Sequence, residues 1–283
     1  MSTAIDMKAL MLEERAKRRA AKAAAAPGAK DVEADEQRQQ QAALDAEGSA
    51  LRAARCAIAN REGFTLASTR IAPQRLDSAF YIGDFLMAAE ADVVLRCLDG
   101  PRYAARWRGG GRRNLNLGGQ PGELDIKEEL PDFALALIDA LVASGAFPEA
   151  QRPNHVLVND YCDGHSGCVA HTDGPLYSPR VGCLSLGGPA LIELWDDLAK
   201  GAREDESALV AGMLLRHCSL HVLADDAYTN LFHQIRDTRR DVITEHVVNQ
   251  AAARCAAGDV VQRGERRLSI VFVHKIDESE DGM

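Results

Sequence analysis

The sequence predicts a mainly β fold with flanking helices (α+β): a double-stranded β-helix, or jelly roll, preceded by an N-terminal helical and flap region. Three observations carry this. After Pro153, nine short β-rich runs follow one another, separated by turn residues. Before it lie two stretches whose apolar residues recur at helical spacing. The first 55 residues hold no Phe, Tyr or Trp and cannot bury much surface. A chain of 283 residues with 46% hydrophobic content can carry one large domain plus an extension. The expected division is a charged, flexible or partly helical extension over 1–60 and one domain over 61–283. Within that domain, helices and a substrate flap occupy 61–153 and the jelly-roll core 154–275.

In the extension, Pro27-Gly28 separates a basic part from a mixed acidic part, both with high helix propensity and little apolar face. Lys17-Arg18-Arg19, with Arg15 and Lys22, reads either as a nuclear address or as the ordinary charge cluster of an Ala-rich helix, and the second is the plainer reading. Phe80-Tyr81-Ile82 then leads to Gly83-Asp84-Phe85. Asp84 is expected to cap a helix running from Leu86 to Leu98, stopped by Gly100-Pro101. A second helix is expected over Pro131–Ser144, with Phe133, Leu137, Ile138 and Leu141 on one face and Gly145 at its end. The β-rich runs are His155–Tyr161, Cys168–Asp173, Val181–Leu186, Ala190–Trp195, Met213–His217, Ser219–Ala224, Asn230–Ile235, Val242–Val248 and Arg267–His274. The polar gaps Asp196–Gly212 and Asn249–Glu265 read as surface loops.

The formal charge is −9, and residues 1–60 hold ten basic and nine acidic side chains, so the rest of the chain nets −10. Such an acidic body is no generic nucleic-acid binder, and affinity for phosphate would have to come from a local patch. Arg102, Arg106, Arg108, Arg112 and Arg113, interleaved with Tyr103 and Trp107, offer one. They read either as a solvated face or as a flap made mobile by Gly109 to Gly111, with guanidiniums for phosphate and rings for stacking a displaced base. Seven cysteines without a C-x-x-C pair argue against a disulfide framework and a structural zinc site. There is no apolar run near the roughly twenty residues of a membrane helix and no secretory-type leader, so a soluble intracellular protein, cytoplasmic or nuclear, is expected.

The chemistry concentrates around His171-Thr172-Asp173. On an extended segment, side chains two apart share a face, so an imidazole and a carboxylate can converge on one cation. A third ligand, best supplied by His233, would complete the 2-His-1-carboxylate face that binds Fe(II) and keeps other positions open. A small anionic cosubstrate would need one fixed guanidinium and a few neutral donors, a set that Arg267, Asn159, Tyr161 and Ser269 supply. The remaining histidines, His221 among them, read as structural.

The order Asn-x-Tyr, His-x-Asp, His, Arg-x-Ser resembles the AlkB-like family of Fe(II)/2-oxoglutarate-dependent dioxygenases, over roughly Phe80 to His274. Asn154-His155-Val156-Leu157-Val158-Asn159, the run from His171 through Asp173-Gly174-Pro175-Leu176-Tyr177, and Ala227-Tyr228-Thr229 with Leu231 and His233 are closest to its AlkB homologue six branch. The resemblance implies iron on His171, Asp173 and His233, and 2-oxoglutarate on Asn159, Tyr161, Arg267 and Ser269. It implies oxidation by dioxygen, with oxidative demethylation of alkylated DNA or RNA as the expected reaction. An oxygenase acting on protein side chains and a non-catalytic binding module are the alternatives. Substrate contacts are expected from Tyr103, Trp107, Arg112, Arg113 and Tyr177. Many relatives carry a second Arg six residues after the first, where Val273 stands here. An Arg three before the last iron ligand is here Asn230, the Gly after that ligand is here Gln234, and Pro175 stands where some relatives carry an acidic base-reading residue.

Overall fold

A computed structural model describes residues 29–71, 76–119 and 128–276. The chain divides between Ala43 and Leu44 into two units. Of the first, residues 29–43 are described, as the start of helix α1 (Ala29–Ala54). The second unit holds everything else. Its core takes in Leu44 and Leu51, together with Cys56 and Ile58, so it begins within the stretch read from sequence as extension. Leu44, Gly48 and Leu51 form a narrow buried stripe on a helix rich in Ala, Gln and charged residues. Gly48 lets the helix approach closely, since a Cβ there would stand 3.2 Å from the Phe133 backbone nitrogen.

Strand β1 (Ala79–Ile82) precedes helix α2 (Ala88–Leu98), the short helix α3 (Pro101–Ala104), the hairpin β2 (Arg108–Gly109) and β3 (Arg112–Leu117), and helix α4 (Asp132–Ala143). Asp84 does not cap α2. The backbone N–H groups of Phe85 and Leu86 instead donate to the Cys218 carbonyl, and the helix starts after Met87, whose N–H is taken by the Glu90 carboxylate. The β-rich half follows as β4 (His155–Tyr161), β5 (Cys168–His171), β6 (Tyr177–Gly187), β7 (Ala190–Trp195), α5 (Leu198–Gly201), β8 (Leu209–Leu215), β9 (Ser219–Ala224), α6 (Asp225–Thr229), β10 (Phe232–Ile235), β11 (Arg240–Val242), β12 (Val260–Gln262) and β13 (Arg267–Lys275).

These strands form a seven-stranded sheet in the order β1-β9-β6-β13-β4-β3-β2 and a four-stranded sheet in the order β5-β10-β7-β8, with β11 and β12 as a separate pair. All of these pairings are antiparallel. Period-two alternation sets the two cores. Along β13, Leu268, Ile270 and Phe272 pack under the helices with Val94, Leu98, Leu137 and Leu141. The alternate residues face the other sheet, where Val273 joins Ile192, Leu194, Met213, Leu223 and Ile235. This is the jelly roll the sequence predicts, with α2 and α4 outside it.

Four extended runs are shorter or displaced, among them Met213–His217, which pairs as β8 from Leu209, inside the expected loop Asp196–Gly212. The run ending at Asp173 stops pairing at His171, and the run starting at Asn230 begins pairing at Phe232, because α6 occupies the residues before it. The run Val242–Val248 pairs only through Val242; beyond it the chain turns, and a single bridge joins Val247 to Gly212. Asn249, expected in a surface loop, is 2% exposed, and its side chain exchanges both hydrogen bonds with the Leu214 backbone. An amide side chain thus stands in for a strand partner at the edge of β8.

Candidate active site

His171 and His233 come together by strand register, since they face each other as partners across β5 and β10. Their rings lie 4.2 Å apart between centroids. Asp173 reaches them from the loop after β5, so the turn rather than a shared strand face makes the carboxylate converge. Its Oδ1 lies 4.0 Å from His171 Nε2 and 3.7 Å from His233 Nε2. Among the described residues this is the group of three ligand-type side chains that could hold a metal ion, with one ligand atom of each within 4.8 Å of the others. His171 Nδ1 is 2.7 Å from the Val169 carbonyl, a contact that holds a proton on Nδ1 and turns Nε2 toward the cluster.

The two imidazoles differ in proton affinity. The Cys168 thiol, 3.7 Å from His171 Nδ1, outweighs burial and raises His171 to about 9, whereas burial lowers His233 to about 4. Burial alone would push Cys168 up, but His171 and Arg112 beside it bring it below the usual thiol range.

A cleft with about 640 Å³ of open space runs over the cluster between apolar walls of Leu157, Val181, Ile192, Leu223 and Val271. Asn159 and Ser269 line it, and so do Arg112, Cys168, Cys183 and His221. Arg267 and Tyr161 line a separate, narrow pocket with Ser166, Ile235 and Arg263, which shares no lining residue with the cleft. The four residues expected to take the cosubstrate form two cross-strand pairs on β13 and β4, Arg267 opposite Tyr161 and Ser269 opposite Asn159.

Arg267 is the outstanding electrostatic feature. It is 4% exposed, its Nη2 donates to Ser185 Oγ at 3.0 Å, and its Nε and Nη1 have no partner. Its guanidinium lies 5.2 Å from the centre of the Tyr161 ring. Burial lowers its proton affinity, yet a guanidinium keeps its charge in proteins. Among the described residues no carboxylate pairs with it. A buried, half-satisfied cation is costly unless an anion completes it. The histidine–aspartate cluster and this cation therefore fit a divalent metal and a small dianion.

The substrate-side expectations divide. Tyr103 is 2% exposed, edge-on to Phe133 at 6.4 Å, and belongs to the core under the helices, so it cannot contact a substrate in the cleft. Arg113 donates to the fully buried Asp160 at 2.9 Å and lies 4.8 Å over the Trp107 ring, which packs against that same core. Both are tied into the body. Arg102 pairs with Asp45, Arg106 with Glu128, and Arg108 donates to the carbonyls of Ala105 and Trp107. The segment thus ends in a hairpin of the main sheet, most of its arginines have partners in the body, and Arg112 is the member that lines the cleft. Tyr177 is half-buried and stacks on His155 at 6.0 Å.

His221 was missed. Alternation along Ser219–Ala224 puts it on the inward face with Leu223, and a polar residue at an inward position of an apolar strand was the available signal.

Two facing antiparallel sheets with a histidine–aspartate cluster and an unpaired buried guanidinium between them define a jelly-roll site for a metal and a small dianion. The chain is 35% identical over 209 residues to the "Probable RNA/DNA demethylase ALKBH6" of Danio rerio, covering 70% of this chain and 87% of that protein. It belongs to the AlkB-like family of Fe(II)/2-oxoglutarate-dependent dioxygenases, enzymes that use Fe(II), 2-oxoglutarate and dioxygen. No protein-family model matches the chain. Among solved structures it is similar to OsALKBH1, with a TM-score of 0.43 and 16% identity over 70% of this chain and 96% of that one. It is also similar to a prolyl hydroxylase from Trichoplax adhaerens in complex with a hypoxia inducible factor peptide, with a TM-score of 0.45 and 10% identity over 77% and 93%. No helix among the described residues is long and apolar enough to cross a membrane.

Proposed function

We propose that this chain oxidatively demethylates alkylated DNA or RNA, with His171, Asp173 and His233 holding Fe(II) and with Arg267, Ser269, Tyr161 and Asn159 holding 2-oxoglutarate. The observation that carries the cosubstrate assignment is Arg267, buried with Nε and Nη1 unpaired on the same face of β13 as Ser269, which lines the cleft over the histidine–aspartate cluster. The name of the Danio rerio relative supports the nucleic-acid substrate. When bound, iron with 2-oxoglutarate and dioxygen supplies the oxidation: the keto acid leaves as succinate and carbon dioxide, and one oxygen atom enters a substrate C–H bond.

The chain's own contribution is positioning. His171 and His233 through Nε2 and Asp173 through Oδ1 would hold the metal, a donor set that suits Fe(II). Arg267 anchors the far carboxylate so that the keto-acid end points toward the cluster, while the hydroxyls of Ser269 and Tyr161 and the Asn159 amide supply neutral hydrogen bonds. Apolar side chains of Leu157, Val181, Ile192, Leu223 and Val271 wall the cleft around the cluster. On an N-methyl group the product is a hemiaminal, which loses formaldehyde and leaves the base unmethylated. Arg112 at the cleft is the cation placed to meet a phosphate.

The test is formaldehyde and succinate release by the purified, Fe(II)-loaded protein with methylated single-stranded oligonucleotides, their unmethylated copies and peptides. Formaldehyde with methylated strands alone is the expected result. Succinate release stimulated only by a peptide would move the substrate to protein, and no turnover in any mixture would make the chain a binding module.

A further inference from the structure

We infer that His221 is a second binding group for the far carboxylate of the cosubstrate, donating a hydrogen bond to the anion that Arg267 anchors. This rests on the reading of the cleft as a 2-oxoglutarate site.

On β9, Leu220 and Val222 turn to the core under the helices, each fully buried, while His221 and Leu223 turn to the cleft. His221 is 3% exposed and its Nδ1 has no hydrogen-bond partner. A leucine or valine would fill that wall with no polar atom to satisfy, so packing gives no reason for an imidazole here. The ring is neutral: burial first, and the positive charge of Arg267 second, lower its proton affinity to about 3. A neutral imidazole offers one N–H donor and one acceptor.

The sheet register places what this donor can reach. Ser219, Ser185 and Ser269 form one row across β9, β6 and β13, and His221, Cys183 and Val271 form the next row on the same inward face. Arg267 Nη2 donates to Ser185 Oγ, so the guanidinium has crossed from β13 onto β6, the strand beside β9. Arg267 Nε and Nη1 and His221 Nδ1 are thus unpaired nitrogens on one face of the same sheet, with Arg267 close enough to lower the proton affinity of His221. An anion seated on the guanidinium satisfies both residues at once. A cation there would face Arg267, and an apolar group would leave all three nitrogens unsatisfied.

The experiment uses the full chain with Mn(II) in place of Fe(II), so that binding is read without turnover. 2-Oxoglutarate and 2-oxobutyrate, which shares the keto acid but lacks the far carboxylate, are titrated by calorimetry against wild type, His221→Leu, His221→Gln and Arg267→Ala. His221→Leu should bind 2-oxoglutarate roughly ten- to hundredfold more weakly, the scale of a hydrogen bond to a charged group. Its affinity for 2-oxobutyrate should not change, and its ligand-free melting temperature should not fall. His221→Gln, which keeps a donor, should recover part of the loss and decides the matter if the leucine variant does not fold. Wild-type 2-oxoglutarate affinity in His221→Leu, with the loss retained in Arg267→Ala, overturns the role of His221 alone. Equal losses for both keto acids also overturn it, by placing the effect at the metal end. No 2-oxoglutarate binding by the wild type overturns the underlying reading instead.

Discussion

Each residue of the proposed metal site carries its own consequence. With three ligands, losing one leaves two, too few to compete with water, so His171→Ala, Asp173→Ala and His233→Ala should each lose most bound Fe(II) or Mn(II) while far-ultraviolet dichroism is unchanged. Wild-type metal content in His233→Ala would remove that residue from the site. The proton balance adds a sign. His171, raised to about 9 chiefly by Cys168, must release its proton to ligate, so Mn(II) affinity should climb as pH rises from 6.5 toward 9. Affinity independent of pH over that span would contradict it. Arg267 gives a paired expectation. Arg267→Ala should lose about 2–5 kcal/mol of 2-oxoglutarate binding, and Lys275→Ala clearly less. Arg267→Met, freed of an uncompensated buried charge, should unfold in denaturant at a concentration no lower than wild type without ligand.

The hairpin β2–β3 shows how an element redistributes charge. Its pairing with β4 sets Arg113 beside Asp160, and Arg266 adds further bonds to the same carboxylate and to Asp99. Asp160 is fully buried, so Asp160→Ala should cost about 2–4 kcal/mol of stability by stranding two partly buried guanidiniums, measurable by urea denaturation. The same geometry separates the two neighbouring arginines in nucleic-acid binding. Arg112→Ala should weaken affinity for a methylated single strand and lower the log–log salt slope by about 0.7. Arg113→Ala should leave that slope alone. If the two variants behave alike, the hairpin contacts phosphate through neither or both.

For the molecule as a whole, buried neutral histidines set the acid limit. Burial lowers His155 to about 4 and His221 to about 3. Both folded values lie below the unfolded value near 6.5, so the unfolded chain binds the extra protons, and stability falls as pH drops below 6.5. Each should contribute about 1–2 kcal/mol of loss at pH 5. Thermal melts at pH 7.5 and 5 should show a smaller drop for His221→Leu than for wild type. Identical drops would mean that His221 contributes nothing to acid unfolding.

The sequence by itself determined the type and order of the ligand-type residues, the antiparallel double sheet and the two helices packed outside it. These are written locally: β-branched runs between turn residues, apolar residues at helical spacing, His-x-Asp at one strand end and Arg-x-Ser opening another. Tertiary structure alone decided what through-space pairing decides. His171 meets His233 because of register between β5 and β10, and Asp173 joins them from a turn rather than from the strand. Asn249 is buried because it completes a strand edge far from it in sequence. Arginines of the basic segment pair with Asp45 and Asp160, and no spacing rule relates residues so far apart. For His221 the sequence offered a polar residue at an inward position of an apolar strand, and only the register showed that it shares a face with Arg267.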